Sequence, residues 1–137
     1  MKSVARHFFD LDAIGAGLVV ATARTELERA ASTGAMVVTA PPGTGKTTFV
    51  PPLIAHLVAE RAGEQPADAP LPRVLLTQPR RVAVRAAARR ISQLDRSALG
   101  GPVGFTVRGE RKVGRDTQLE VLTPGVLLRR LISDPSL

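Results

Sequence analysis

An α/β fold with a parallel sheet is what this 137-residue sequence predicts, on three observations. The apolar run Ala35–Ala40 leads straight into Pro41, Pro42, Gly43, Thr44, Gly45, Lys46, Thr47 and then a helical stretch, the order of a strand, a phosphate-binding loop and a helix. Three further short apolar runs, Val74–Thr77, Val103–Val107 and Leu119–Leu122, are bounded by turn or polar residues, as buried strands are. Helical periods at Arg80–Leu94 and Val126–Ile132 stand between or after them, and strands alternating with helices favour a parallel sheet.

Each element has its own local signals. Residues 11 to 31 read as helical from about Leu18, with Gly15 and Gly17 marking a turn before it and Ser32, Thr33 and Gly34 stopping it. The strand Ala35–Ala40 follows. The helix after the loop, Thr47–Glu60, carries Pro51 and Pro52 about one turn in, where the missing N–H donors predict a kink or a short first turn. Gly63, Pro66, Pro70 and Pro72 make residues 61–73 a surface loop. Val74–Thr77 ends at Gln78 and Pro79. In the next helix Val84, Ala87, Ile91 and Leu94 form an apolar stripe, with Arg81, Arg85 and Arg89 roughly opposite. Arg108, Gly109, Glu110, Arg111 and Lys112 read as a charged turn between the last two strands, and Pro124 suits the first turn of the final helix. There is no internal repeat.

The length fits at most one domain, and 44% hydrophobic residues argue for a folded chain. No cysteine is present, which excludes disulfides and Cys-based zinc and fits a cytoplasmic setting. No apolar run approaches the ~20 residues of a membrane span, and Met1–Asp10 lacks an apolar signal core, so no membrane association is expected. The net charge of +7 invites a polyanion such as nucleic acid. Yet arginine outnumbers lysine 16 to 3 and alanine abounds, as a GC-rich coding sequence alone would produce, so the placement of charge must decide. Aromatics are only 3%, which disfavours a base-stacking platform.

The loop carries the most specific chemistry. Gly43 and Gly45 allow close backbone wrapping of a phosphate, and the following helix start offers unpaired N–H groups through Thr44, Thr47 and Thr48. Lys46 can reach the β- and γ-phosphates of a nucleotide, and the Thr47 hydroxyl can ligate Mg²⁺. Ala40 stands where the strictest pattern has glycine. His7 and His56 have no partners at metal-ligand spacing and read as surface or packing residues.

The loop alone resembles that of AAA+ ATPases, but four other stretches, in order, resemble DEAH-box helicases. These are Thr47-Thr48-Phe49-Val50-Pro51, Thr77-Gln78-Pro79-Arg80-Arg81-Val82-Ala83 (similar to motif Ia), Val103-Gly104-Phe105-Thr106-Val107-Arg108-Gly109-Glu110, and Leu122-Thr123-Pro124-Gly125-Val126-Leu127-Leu128 (similar to the Thr-x-Gly motif). Together they cover residues 40 to 132 and most resemble bacterial members, whose N-terminal helix also resembles residues 9 to 31. The resemblance implies a P-loop NTPase fold, a RecA-like helicase lobe, with a helical extension over 1–34 and a partial ATP-binding domain over 35–137. It implies an ATP-dependent enzyme with ATP and Mg²⁺ as cofactors and single-stranded RNA or DNA as partner. The backbone-gripping role falls on Pro79, Arg80, Arg81, Thr123 and Gly125. Guanidinium forks suit phosphate oxygens and read no sequence. No motif position covers Arg85 and Arg89, for which a solvated helix face is preferred; Arg108 and Glu110 are expected to pair with each other or with neighbouring strands, or to contact substrate.

The family's Asp-Glu-x-His box is absent, since no adjacent Asp-Glu occurs in the sequence. The resemblance places the strand that bears it just after Asp134–Leu137, so catalytic acids are not expected among these residues, and the rest of a helicase chain is the expected partner for a complete lobe. Weak nucleotide binding without turnover follows. So do exposed edges on Met36–Thr39, because in the family the strands after that box flank the loop strand. The competing expectations are an AAA+ type protein and a nucleotide-binding module that does not hydrolyse.

Overall fold

A computed structural model of the chain describes residues 6–64 and 69–137. Runs rich in β-branched and aliphatic residues form three strands of the sheet, β1 (Val74–Thr77), β2 (Val103–Val107) and β4 (Leu119–Leu122), and the charged β3 (Glu110–Lys112) joins them, in the order β1-β4-β2-β3. β4 runs parallel to β1 (Leu76 opposite Val121) and to β2 (Phe105 opposite Val121), which accords with the expected parallel sheet. Flanked on both edges, β4 is buried at every residue, Glu120 included.

The charged turn expected over 108–112 is a correction. Only Arg108 and Gly109 turn; Glu110–Lys112 is a strand, antiparallel to β2, with Val107 opposite Glu110. A three-residue edge strand made of Glu, Arg and Lys has no apolar alternation to betray it, and charge on an edge discourages pairing with other chains.

The N-terminal helix also differs from expectation. Asp10 caps a short α1 (Leu11–Gly15) by accepting from Ala13 N–H at 3.0 Å, a 3₁₀ turn spans Val19–Ala23, and α2 (Arg24–Ala31) begins six residues later than expected. Val19, Val20 and Thr22, β-branched and crowded against a preceding turn, favour the break. α3 (Lys46–Arg61) contains Pro51 and Pro52, so the carbonyls of Thr47 and Thr48 lose their helical donors. α4 (Arg81–Asp95) buries Val84, Ala88 and Ile91 against β2 and β4, close to the expected stripe. α5 (Pro124–Ser133) buries only Val126.

The strand expected at Ala35–Ala40 does not form. Its residues still alternate, with Met36 and Val38 packed against the core and Val37 91% exposed. Among the described residues, however, no strand pairs with it, so both its edges are open. A β conformation is held by its ladder, and this segment has the pattern without the partners. In the 61–73 loop, Pro66 lies outside the described residues.

One apolar core joins Ile14, Phe49, Leu53, Val84, Ile91, Phe105 and Leu119, and it also takes in Phe9, Leu11, Val20 and Leu27. Two polar residues clasp the N-terminal segment to it. Asp95, its side chain fully buried, accepts the Asp10 N–H at 2.8 Å and meets His7 Nε2 at 2.7 Å. Gln118 accepts from His7 N–H at 2.7 Å and donates to the His7 carbonyl at 2.9 Å. His7 is therefore a packing residue with a carboxylate partner that spacing could not reveal, 88 residues away. His56, half-buried, meets Glu60 one turn on in α3 at 3.1 Å.

Candidate functional site

Gly43 and Gly45 have φ of 80° and 94°, the left-handed region that side chains resist. These two turns leave six consecutive backbone N–H groups, Gly43 through Thr48, donating to no protein acceptor among the described residues; the first regular bond is Phe49 N–H to the Gly45 carbonyl at 2.9 Å. Six undonated N–H groups in a row at the start of a 16-residue helix, with the helix dipole behind them, suit an anion.

The rest of the loop is braced by its neighbours. Thr44 Oγ1 donates to the Pro41 carbonyl at 2.9 Å, and Val20 N–H donates to the Thr44 carbonyl at 3.0 Å. Leu18 lies so close that a Cβ on Gly45 would come within 2.8 Å of its Cδ1. The Lys46 ammonium folds back onto the Ala40 carbonyl, a contact a phosphate can replace. Thr47 is exposed, and neither its hydroxyl nor that of Thr48 bonds to protein among the described residues. Free hydroxyls, free amides and a movable ammonium fit a nucleotide triphosphate with Mg²⁺.

A second group sits at the carboxyl ends of β1 and β4. Thr77 lies opposite Leu122, and Gln78 N–H donates to the Leu122 carbonyl at 3.0 Å, so Pro79-Arg80-Arg81 and Thr123-Pro124-Gly125 leave the sheet side by side. Arg80 and Thr123 are the N-cap residues of α4 and α5, and neither side chain caps its helix. The N–H groups of Arg81, Val82, Ala83 and Gly125 consequently donate to no protein acceptor among the described residues. Arg80 and Arg81 are exposed and ion-paired with nothing there. The structure thus brings all five candidate backbone-binding residues to one edge, where two uncapped helix starts add positive potential.

The preference for a solvated Arg85 is overturned. Its Nε and Nη2 both donate to Glu110 Oε2, at 2.9 and 2.7 Å, tying α4 to β3. Arg89 is exposed, as expected, and Glu110 pairs with α4 rather than with Arg108.

The sequence reading missed the charge cluster beneath the second group. Glu120 accepts from Arg130 Nη1 (2.9 Å) and Nη2 (2.5 Å), Arg73 Nη1 (3.0 Å) and Thr106 Oγ1 (2.8 Å). Burial alone would push its carboxyl up; Arg130, Thr106 and Arg73 outweigh that and hold it below the ordinary carboxylate range. Glu120 in turn raises Arg130. A lone acid inside Leu-Glu-Val-Leu was the available signal, because a buried carboxylate needs a cation. A groove of about 910 Å³ runs between α5 and the β1–β2 face, over Leu75, Val107 and Arg130, away from the phosphate loop.

Comparison with known proteins gives the family and the fold. The model of a family described as AAA domain matches residues 19–116. The mouse ATP-dependent RNA helicase DHX33 is 41% identical over 92 residues, covering 67% of this chain and 12% of the relative. The ATP-dependent RNA helicase HrpB of Escherichia coli is 36% identical over 103 residues, 74% of this chain and 11% of the relative. The crystal structure of the E. coli DEAH/RHA helicase HrpB superposes on 88% of this chain with a TM-score of 0.72 at 34% identity, and is covered to 14%. The fold is therefore that of the RecA-like helicase lobe, and the chain spans about a tenth of the length of the curated relatives it matches.

Proposed function

This chain belongs to the AAA domain family, and from that premise we propose that it is the N-terminal nucleotide- and nucleic-acid-binding part of a DEAH-type ATP-dependent RNA helicase. The observation that carries the reading is the run of six undonated N–H groups from Gly43 to Thr48 behind two left-handed glycines. The N–H groups of Gly43 to Thr48 would hold ATP phosphates, Lys46 would neutralise their charge, and the Thr47 hydroxyl would help to hold Mg²⁺. ATP supplies the free energy of phosphoryl transfer. The chain's own residues bind and orient it. Without an Asp-Glu-x-His sequence they lack the acid that positions Mg²⁺ and water, so we assign them binding and no turnover of their own.

Pro79, Arg80, Arg81, Thr123 and Gly125 hold the sugar-phosphate backbone of single-stranded RNA, with the uncapped starts of α4 and α5 adding donors. The names of the relatives favour RNA over DNA, and a chain without cysteine fits the cytoplasm. Residues 1–34 serve as an extension to the lobe at 35–137, with helices at Leu11–Gly15 and Arg24–Ala31. The AAA domain match keeps the AAA+ reading in view for the loop, but the paired edge at Arg80 and Thr123 favours the helicase.

Titration of the chain with a fluorescent ATP analogue in Mg²⁺ tests the core of this. Lys46→Ala should weaken binding tenfold or more; unchanged affinity overturns the phosphate-loop role.

A further inference from the structure

The net charge of this chain is segregated. Residues 80–115 hold nine arginines and Lys112 against two carboxylates, Asp95 and Glu110, whereas all remaining residues hold nine basic and ten acidic side chains. Codon bias toward arginine would spread the excess, and it is not spread. The segment is also one packed unit, with α4 on β2 and β2 paired to β3. Both of its acids are already engaged, Asp95 by His7 and the Asp10 N–H, and Glu110 by Arg85.

Arg81, Arg85 and Arg89 follow each other at four-residue spacing and share one face of α4. Like charges so placed repel by a few tenths of a kcal/mol per pair, with no acid on the helix free to offset them. Glu110 and Lys112 lie on the same face of β3, and Glu110 reaches Arg85, so Lys112 points to the α4 side of the sheet. Arg89 and Lys112 are exposed, and neither is ion-paired among the described residues.

We propose that the Arg81–Arg85–Arg89 face of α4, with Lys112 of β3 beside it, is a backbone-binding ridge that carries a nucleic-acid strand onward from Arg80 and Arg81. This rests on the reading of the Arg80–Thr123 edge as the RNA contact and extends it to residues that no motif covers. Glu110 compensates Arg85 alone, which leaves Arg81, Arg89 and Lys112 without an acid among the described residues; a polyanion is the partner that relieves them, and a nucleic acid entering at Arg81 is already aligned with the face.

The test is the salt dependence of binding to single-stranded oligouridylate. Each phosphate contact on a single strand contributes about 0.7 to the slope of log K against log salt. Arg89→Ala/Lys112→Ala should lower that slope by about 1.4, and Arg89→Lys should leave it unchanged. The control Arg29→Ala/Arg61→Ala removes two exposed arginines from the balanced part of the chain and should not alter it. If Arg80→Ala/Arg81→Ala lowers the slope and Arg89→Ala/Lys112→Ala does not, the ridge is overturned while the edge stands. If neither does, the RNA reading itself fails. Displacement of the RNA by polyglutamate at equal charge concentration would also overturn the proposal, in favour of an acidic protein partner.

Discussion

Glu120 on β4 and Arg130 on α5 meet fork to fork, with Nη1 to Oε1 at 2.9 Å and Nη2 to Oε2 at 2.5 Å, and the carboxylate has no solvent exposure. Because α5 buries only Val126, this pair is its principal anchor to the sheet. Removing one member of a buried pair strands the other, at about 3–5 kcal/mol. Arg130→Met should lower the unfolding free energy by less than that in urea titration, because Arg73 and Thr106 still bond to Glu120. The double change Glu120→Gln/Arg130→Met should cost clearly less than the sum of the single changes.

The same carboxylate makes stability depend on pH. Its folded-state value lies below the ordinary 4.5, so its contribution is complete above that value and is lost as pH falls through the folded one. Urea midpoints should decline below about pH 4.5, and Glu120→Gln should flatten that decline. An equally steep decline in the variant would show that other carboxylates are responsible.

Gly45 makes two separate demands, φ of 94° and closeness to Leu18. Gly45→Ala should cost about 1–2 kcal/mol from the backbone alone, with the contact added. Leu18→Ala in the same chain should recover the contact part only. ATP-analogue binding should stay impaired in both, because the donors depend on the turn; full recovery of binding would refute this.

Asp95 holds two groups of the N-terminal segment, the His7 ring and the Asp10 N–H. Asp95→Ala leaves both without their acceptor and should cost about 1.5–3 kcal/mol. Limited proteolysis should then cut within residues 7–17 faster than in the parent chain, with cleavage elsewhere little changed.

Much of this fold could be read from sequence where a residue's neighbours in the chain decide its state. Val103–Val107 and Leu119–Leu122 are strands within the expected bounds, and Arg81–Asp95 is the expected helix to within a residue, because apolar period and flanking turns are local signals. Gly43 and Gly45 were legible for the same reason: the loop needs left-handed turns at fixed offsets from Lys46. What was not legible depends on distant partners. Met36 and Val38 have a strand's alternation, yet pairing is a property of the neighbouring strand. Glu110–Lys112 pairs because β2 offers it an edge, and His7, Arg85 and Glu120 acquire their roles from Asp95, Glu110 and Arg130.

Pro51 and Pro52 bear on how the loop can move. With no N–H of their own, they cut two rungs between the first turn of α3 and the rest of it. Residues 43–48 can then rearrange around a phosphate with few hydrogen bonds of the helix body at stake. Loop closure becomes a local event on the amino-terminal side of Phe49, whose buried ring anchors the first turn of α3 in the core. In hydrogen exchange, nucleotide should slow the amides of residues 43–48 and leave those from Leu53 onward at their own rate.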